Sequence, residues 1–139
     1  MTALAVLCLC GMTSACGTTT DPGPTAEQKK WADTLRATLD AKPSDCVAVG
    51  PSCSGFITAL DQQMTALDSV VQSWDAPDRF PYVRADAATT HEKAKDFHDQ
   101  GCVRMPMTDR KSSDCAFDLS DAMKAVSDTK DRLTTQGRA

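Results

Sequence analysis

Two histidines are the residues of this chain best suited to metal binding or proton transfer. His91 and His98 are seven positions apart, which places them two turns along one face of a helix. Glu92 and Asp99 follow them, but a zinc site needs three or four ligands at suitable spacing, and the sequence has no HExxH motif. We therefore expect both histidines to lie on the surface, and we expect neither a metal nor another cofactor.

The sequence also lacks the motifs of common catalytic sites. It contains no G-x-S-x-G, no glycine-rich phosphate loop and no pair of carboxylates in an apolar setting. We therefore predict that the protein is not an enzyme.

The seven cysteines fall into two groups. Cys8, Cys10 and Cys16 lie near the N-terminus. The other four bound two later segments: Cys46 and Cys53, then Cys102 and Cys115. Their C-x6-C and C-x12-C spacings match neither the C-x-x-C of thiol oxidoreductases nor a zinc knuckle. In an oxidising compartment, four cysteines predict two structural disulfides with three possible connectivities. We favour pairing within each segment over links between the segments.

The residues before Cys16 have the pattern of an export signal. Residues 3–10 are continuously apolar, which is too short for a membrane span of roughly 20 residues but suits a signal-peptide core of about 7–15 residues. Small residues follow, in Thr13-Ser14-Ala15-Cys16. This stretch resembles the lipobox of bacterial lipoproteins, a resemblance that covers about the first twenty residues. Leu is usual in that family where Thr13 stands. No basic residue precedes the apolar run, which indicates either a start codon upstream of Met1, the interpretation we favour, or a weak leader.

The resemblance implies that residues 1–15 are a signal peptide and that Cys16 becomes the acylated first residue. Residues 17–24 (GTTTDPGP) are small, polar and rich in helix breakers, so we expect residues 16–24 to be a lipidated cysteine with a flexible tether. Two or three acyl chains, such as palmitate, would hold the protein on the extracytoplasmic face of the cell membrane. Cleavage after Ala15 to release a soluble protein is one alternative, although it leaves Cys16 without a partner. An uncleaved or cytoplasmic protein is the other.

Apolar residues that recur at spacings of three and four predict four amphipathic helices. Their expected ranges are 26–42, 55–74, 83–100 and 119–135. Thr25 begins a capping-box pattern, and Gly101 stands where a glycine is expected just beyond a helix. No segment has the sustained alternation of a strand. Residues 25–139 are therefore predicted to be an all-α domain, an antiparallel four-helix bundle with disulfide-bounded loops.

The predicted connection between the third and fourth helices is the best candidate for contacting a partner. Residues 102–115 carry two methionines and three cations on a chain whose net charge is −4. Methionine and arginine are typical of protein interfaces. The candidate contact residues are Arg104, Met105, Met107, Arg110 and Lys111. The alternative is a solvated connection whose methionines cap the core.

A second notable stretch is the turn between the second and third helices, where Trp74, Phe80 and Tyr82 crowd together. We expect these aromatic side chains to close that end of the bundle. Contact with the lipid interface is the other interpretation, since Trp and Tyr favour that zone.

We therefore expect a cell-surface, lipid-anchored lipoprotein that acts as a binding or interaction module of the envelope. Its expected partners are the membrane, through the anchor, and an envelope or extracellular protein. The mildly acidic charge gives no basis for binding nucleic acid. The composition and Thr-rich tether are similar to those of small lipoproteins of high-GC Gram-positive bacteria or their phages. The alternatives are a phage-encoded surface-exclusion lipoprotein and an envelope enzyme with a site between the helices.

Overall fold

The computed structural model describes residues 25–104 and 109–135, and within these ranges every regular element is helical. The helices are α1 (Ala26–Asp40), α2 (Pro51–Val71), α3 (Pro81–Asp99) and α4 (Asp109–Thr135), with a short 3-10 turn at Pro77–Arg79. The all-α prediction is confirmed for this part of the chain. The expected signal peptide, Cys16 and the tether lie outside the described residues.

Helix α1 begins where the sequence predicts, because its first turn is capped from both sides. The Thr25 side chain accepts a hydrogen bond from the Gln28 backbone N–H at 3.1 Å. The Gln28 side-chain oxygen accepts in return from the Thr25 backbone N–H. This reciprocal pair satisfies two amide groups that a helix N-terminus otherwise leaves without partners.

Helix α3 ends as its glycine predicts. Gly101 has φ +76°, a left-handed conformation that glycine adopts without steric cost. Its N–H donates to the His98 carbonyl at 3.0 Å, while the Cys102 N–H donates to the Phe97 carbonyl at 3.1 Å. These two bonds form a Schellman motif and satisfy carbonyls of the last turn of the helix.

Two helix starts differ from the prediction by more than two residues. Helix α2 begins at Pro51, where proline is favoured in the first turn because it needs no N–H partner there. Helix α4 begins at Asp109 and not near Leu119. The added residues are mostly polar, so apolar spacing gave no signal; the buried Cys115 and Asp118 turn this part of the helix toward the core. The predicted long connection is therefore partly helical.

One core joins the four helices. Its largest fully buried apolar side chains are Leu35, Ile57, Leu60, Met64, Leu67, Val71, Val83, Phe97, Val126 and Leu133. As predicted, α3 contributes small residues between Val83 and Phe97. Helix α4 packs against both α1 and α3, and α2 packs against α3, whereas the contact between α1 and α2 is smaller. This packing defines a helical bundle.

Two threonines lie fully buried in this core. The Thr129 hydroxyl donates to the Asp86 carboxylate at 2.7 Å, and the Thr90 hydroxyl donates to the Asp86 backbone carbonyl at 2.8 Å. Because both hydroxyls have acceptors, their burial leaves no donor unsatisfied.

Candidate functional site

Two disulfides lie at one end of the domain, and each pairs cysteines within one segment, as favoured from the sequence. Cys46 is bonded to Cys53 with a Cα–Cα distance of 4.8 Å, and Cys102 is bonded to Cys115 with a Cα–Cα distance of 5.8 Å. All four cysteines are buried. Both disulfides therefore serve as cross-links of the fold and present no accessible thiol chemistry.

A backbone hydrogen bond joins the two segments that the disulfides close. Gly50 precedes α2 with φ +113°, a conformation that strains any residue with a Cβ. Its N–H donates to the Cys102 carbonyl at 2.8 Å, so the start of α2 meets the turn that follows α3. We call the region formed by residues 43–53, 100–104 and 109–117 the disulfide end.

Three of the five predicted contact residues are described, and all three are exposed at the disulfide end. Arg104 lies in the turn after α3, while Arg110 and Lys111 lie in the first turn of α4. Met105 and Met107 lie outside the described residues. The dipole of a helix makes its N-terminus partly positive, so each anion in the first turn stabilises the helix by about 0.3–1 kcal/mol and each cation there is unfavourable. Stabilisation of α4 therefore does not explain Arg110 and Lys111.

The disulfide end also exposes apolar side chains that the sequence reasoning missed. Val47 is 82% exposed and Phe117 is 67% exposed, and among the described residues these are the large hydrophobic side chains that stand out in solvent. A shallow depression of about 310 Å³ lies between α1 and α2, with Pro43, Pro51 and Phe56 on its wall. Extending the period of α4 backward from Leu119 would have placed Phe117 on the outer face, opposite the core.

A buried carboxylate ties α3 to α4 near the Cys102–Cys115 disulfide, and it too was missed. The Asp118 side chain is 7% exposed and accepts from Lys93 Nζ at 3.3 Å and from Gln100 Nε2 at 2.9 Å. The hydrogen bond to Asp118 raises the pKa of Lys93. Since each carboxylate oxygen accepts from a donor on or just after α3, Asp118 acts as a structural tie between α3 and α4.

The two histidines lie on the surface, as expected, and connect α3 to α2. His91 Nδ1 lies 3.2 Å from the Asp61 carboxylate, and His98 Nε2 lies 3.1 Å from the Thr58 hydroxyl. Across residues 25–104 and 109–135, no group of three or more His, Cys, Asp or Glu side chains is arranged to hold a metal ion.

Aromatic side chains pack at the turn between α2 and α3. The Trp74 and Phe80 rings meet edge to face with centroids 4.8 Å apart, and the Phe80 and Tyr82 centroids are 6.1 Å apart. The Arg132 guanidinium lies 5.2 Å from the Tyr82 ring centroid. Burial raises the pKa of Tyr82 to about 12, so its phenol remains neutral at physiological pH.

A pocket of about 510 Å³ lies between this turn and the first turn of α1. Its wall includes Thr25, Glu27, Trp74, Asp75, Arg79 and Phe80. The indole Nε1 of Trp74 is buried and has no hydrogen-bond partner. We call this cavity the turn pocket. The sequence grouped the aromatic residues of the turn but gave no sign that α1 begins beside them.

The described helices include none with the length and apolar content that crossing a bilayer requires. Comparisons with protein-family models, with curated proteins and with solved structures give no match. The helices and the two disulfides define the class of the described residues, which is a disulfide-bonded, all-α helical domain.

Proposed function

We propose that this protein is a lipid-anchored lipoprotein of the bacterial cell surface and that its helical domain is a binding module of the envelope. The cysteine pairing carries the proposal of an anchor. The four cysteines of the domain bond to one another, so neither disulfide requires Cys16. Cys16 ends a short apolar leader and stands where a lipoprotein carries its acyl chains.

We propose further that the bundle is antiparallel, running up-down-up-down. Contacts between early residues of one helix and late residues of the next support this arrangement. Between α2 and α3 the pairs are Thr58 with His98 and Asp68 with Arg84. Between α3 and α4 the pairs are Tyr82 with Arg132 and Gln100 with Asp118.

This topology would set the two ends of the domain at different distances from the membrane. The tether leads to the start of α1, which adjoins the turn between α2 and α3 at the turn pocket. Helix α2 has 21 residues, which corresponds to about 30 Å at 1.5 Å per residue. The disulfide end would therefore lie up to about 30 Å further from the anchor than the turn pocket does.

We propose that the disulfide end is the contact surface. The exposed Phe117 and Val47 supply an apolar centre, while Arg104, Arg110 and Lys111 supply cations on an acidic protein. Aromatic and arginine side chains dominate binding energy at protein interfaces. The same region also carries Asp45, Asp109 and Asp114, so the complementary partner is a protein with an apolar pocket and acidic groups placed opposite these three cations.

Anchoring is tested by intact-mass analysis of protein from the native membrane fraction. The wild-type chain is expected to carry the mass of at least two acyl chains, and Cys16→Ser to lack that mass and leave the membrane fraction. Identical, unlipidated products from both chains would contradict the proposal.

Partner binding is tested with the mature domain as bait in envelope extracts and quantitative mass spectrometry of what it retains. Phe117→Ala and the Arg110→Ala/Lys111→Ala pair are expected to lower recovery of the specific partner at least tenfold. Lys29→Ala/Lys30→Ala is the matched control, because these exposed cations lie near the start of α1, at the opposite end of the domain. Equal recovery with all variants would remove the disulfide end as the contact surface.

A further inference from the structure

Each disulfide joins two cysteines that follow one another along the domain. Cys46 pairs with Cys53 across a sequence separation of 7, and Cys102 pairs with Cys115 across a separation of 13. Neither bond links the two segments, although they are neighbours in the folded domain, where the Gly50 N–H donates to the Cys102 carbonyl at 2.8 Å. The native pairing is therefore the one that the order of the cysteines in the chain favours.

The lengths of the competing loops show how strongly the unfolded chain favours this pairing. The probability that two residues of a flexible chain meet falls as about the 3/2 power of their separation. By this relation Cys53 meets Cys46 about twentyfold more often than it meets Cys102. Cys102 likewise meets Cys115 about sevenfold more often than it meets Cys53. Oxidation of the unfolded chain is therefore expected to give mostly native links.

Burial of the sulfur atoms indicates when oxidation takes place. The four cysteines of the domain are between 0% and 2% exposed. Thiol–disulfide exchange proceeds by attack of a thiolate on a disulfide sulfur, and its rate depends on access to both groups. Oxidation by an external disulfide therefore precedes closure of the core, at a stage when separation along the chain determines which thiols meet.

We propose that the reduced, exported chain is the substrate of a thiol oxidase that carries an exchangeable disulfide, and that both native bonds form by direct oxidation without a disulfide isomerase. Export is part of the function proposed above, because disulfides form and persist in oxidising compartments outside the cytoplasm. Acylation of Cys16 is not required for this step.

The same two exchange reactions close each bond. One thiolate of the segment attacks a sulfur of the oxidase disulfide, which forms a mixed disulfide and releases one oxidase thiolate. The second thiolate of the segment then attacks the substrate sulfur of the mixed disulfide, which closes the native bond and releases the second oxidase thiolate. Two electrons pass to the oxidase, and its two thiolates take up the two protons that the cysteines lost.

The test is oxidation of residues 16–139 carrying Cys16→Ser, so its outcome does not depend on lipidation. The reduced chain is diluted from guanidinium into buffer with oxidised glutathione and quenched with acid at intervals, and its links are identified by non-reducing peptide mapping. The two native links are expected to make up about four-fifths or more of all links from the first interval onward. Catalytic protein disulfide isomerase is expected to raise their final yield by less than about a quarter.

A pair of variants on the same background tests the loop argument with two thiols in each chain. Cys102→Ala/Cys115→Ala leaves Cys46 and Cys53, whereas Cys53→Ala/Cys102→Ala leaves Cys46 and Cys115. In guanidinium, where neither variant folds, the Cys46–Cys53 bond is expected to close about thirtyfold faster than the Cys46–Cys115 bond. Equal rates of closure would contradict the argument from chain order.

Two results would overturn the proposal. One is an early mixture in which links between the two segments dominate, and the other is native links that appear only after the isomerase is added. Neither result affects the intact mass by which acylation of Cys16 is tested, so failure of this proposal is distinguishable from failure of the proposed anchor.

Discussion

Loss of the Cys102–Cys115 disulfide is expected to remove a large part of the stability of the domain. This bond spans a sequence separation of 13 residues and joins the turn after α3 to the second turn of α4. Both of its cysteines are fully buried. The perturbation is the double variant Cys102→Ala/Cys115→Ala, which removes the bond without leaving a free thiol.

The magnitude follows from the loop that the bond closes. The chain-entropy relation gives about 3 kcal/mol for this loop and about 2.5 kcal/mol for the Cys46–Cys53 loop, whose sequence separation is 7 residues. Loss of the buried sulfur atoms adds about 1 kcal/mol. Small domains have about 5–15 kcal/mol of net stability, so the variant should fold with a much smaller margin.

Urea unfolding followed by circular dichroism measures this change. With a slope of about 1.3 kcal/mol/M, a loss of 3–4 kcal/mol lowers the midpoint by about 2–3 M. Cys46→Ala/Cys53→Ala is the matched comparison and is expected to lose slightly less. A loss below about 1 kcal/mol for Cys102→Ala/Cys115→Ala would refute the entropic argument, and a Cys46–Cys102 peptide in a non-reducing digest would refute the pairing itself.

Three further predictions concern single residues of the described domain. Gly50→Ala is expected to lower the free energy of unfolding by about 1 kcal/mol or more because φ is +113°. Gly55→Ala, in the interior of α2 with open space around it, should raise the free energy of unfolding by about 0.5–1 kcal/mol. Urea unfolding measures both variants, and changes of the same sign would contradict the argument. Asp118→Asn is expected to cost about 1–3 kcal/mol, because an amide cannot serve two donors as the carboxylate does; an unchanged urea midpoint would be inconsistent with its role as a tie. The folded pKa of Tyr82 is raised to about 12 from 10.0, so its contribution to stability is complete below pH 10 and is lost as the pH rises toward 12. Tyr82 is the single tyrosine of the chain, so phenolate absorbance reports it directly, and Tyr82→Phe should remove its part of the alkaline loss of stability.

The features that sequence reasoning predicted well depend on local signals. The capping box at Thr25 and the glycine turn at Gly101 are each complete within a few residues, so no tertiary information is needed to place them. Pairing within each cysteine segment follows the same logic, since short separations bring the partners together. The spacing of apolar residues was sufficient for the core of α3.

The features that sequence reasoning missed depend on contacts between segments that are far apart in the chain. The first two turns of α4 are mostly polar, and the inward side of the next turn includes Asp118, whose burial is explained by Lys93 on α3 and Gln100 just after it. Phe117 lies just before the predicted start of that helix, so its exposure could be recognised only by extending the helical register backward from Leu119. The turn pocket requires residues near position 25 to meet residues near position 75, and no local pattern encodes that meeting.

The best guide to function is whether an energetically unfavourable side chain is explained by contacts inside the domain. Asp118 is costly to bury, but its two donors account for it within the domain. In contrast, Arg110 and Lys111 oppose the α4 dipole, and Phe117 leaves most of its ring in water. A sequence selected for stability alone would favour acidic residues at the first two positions and a polar residue at the third. Because these exceptions to local stability lie together at the disulfide end, we infer that they are retained for a contact outside the domain, and they are the residues to change first.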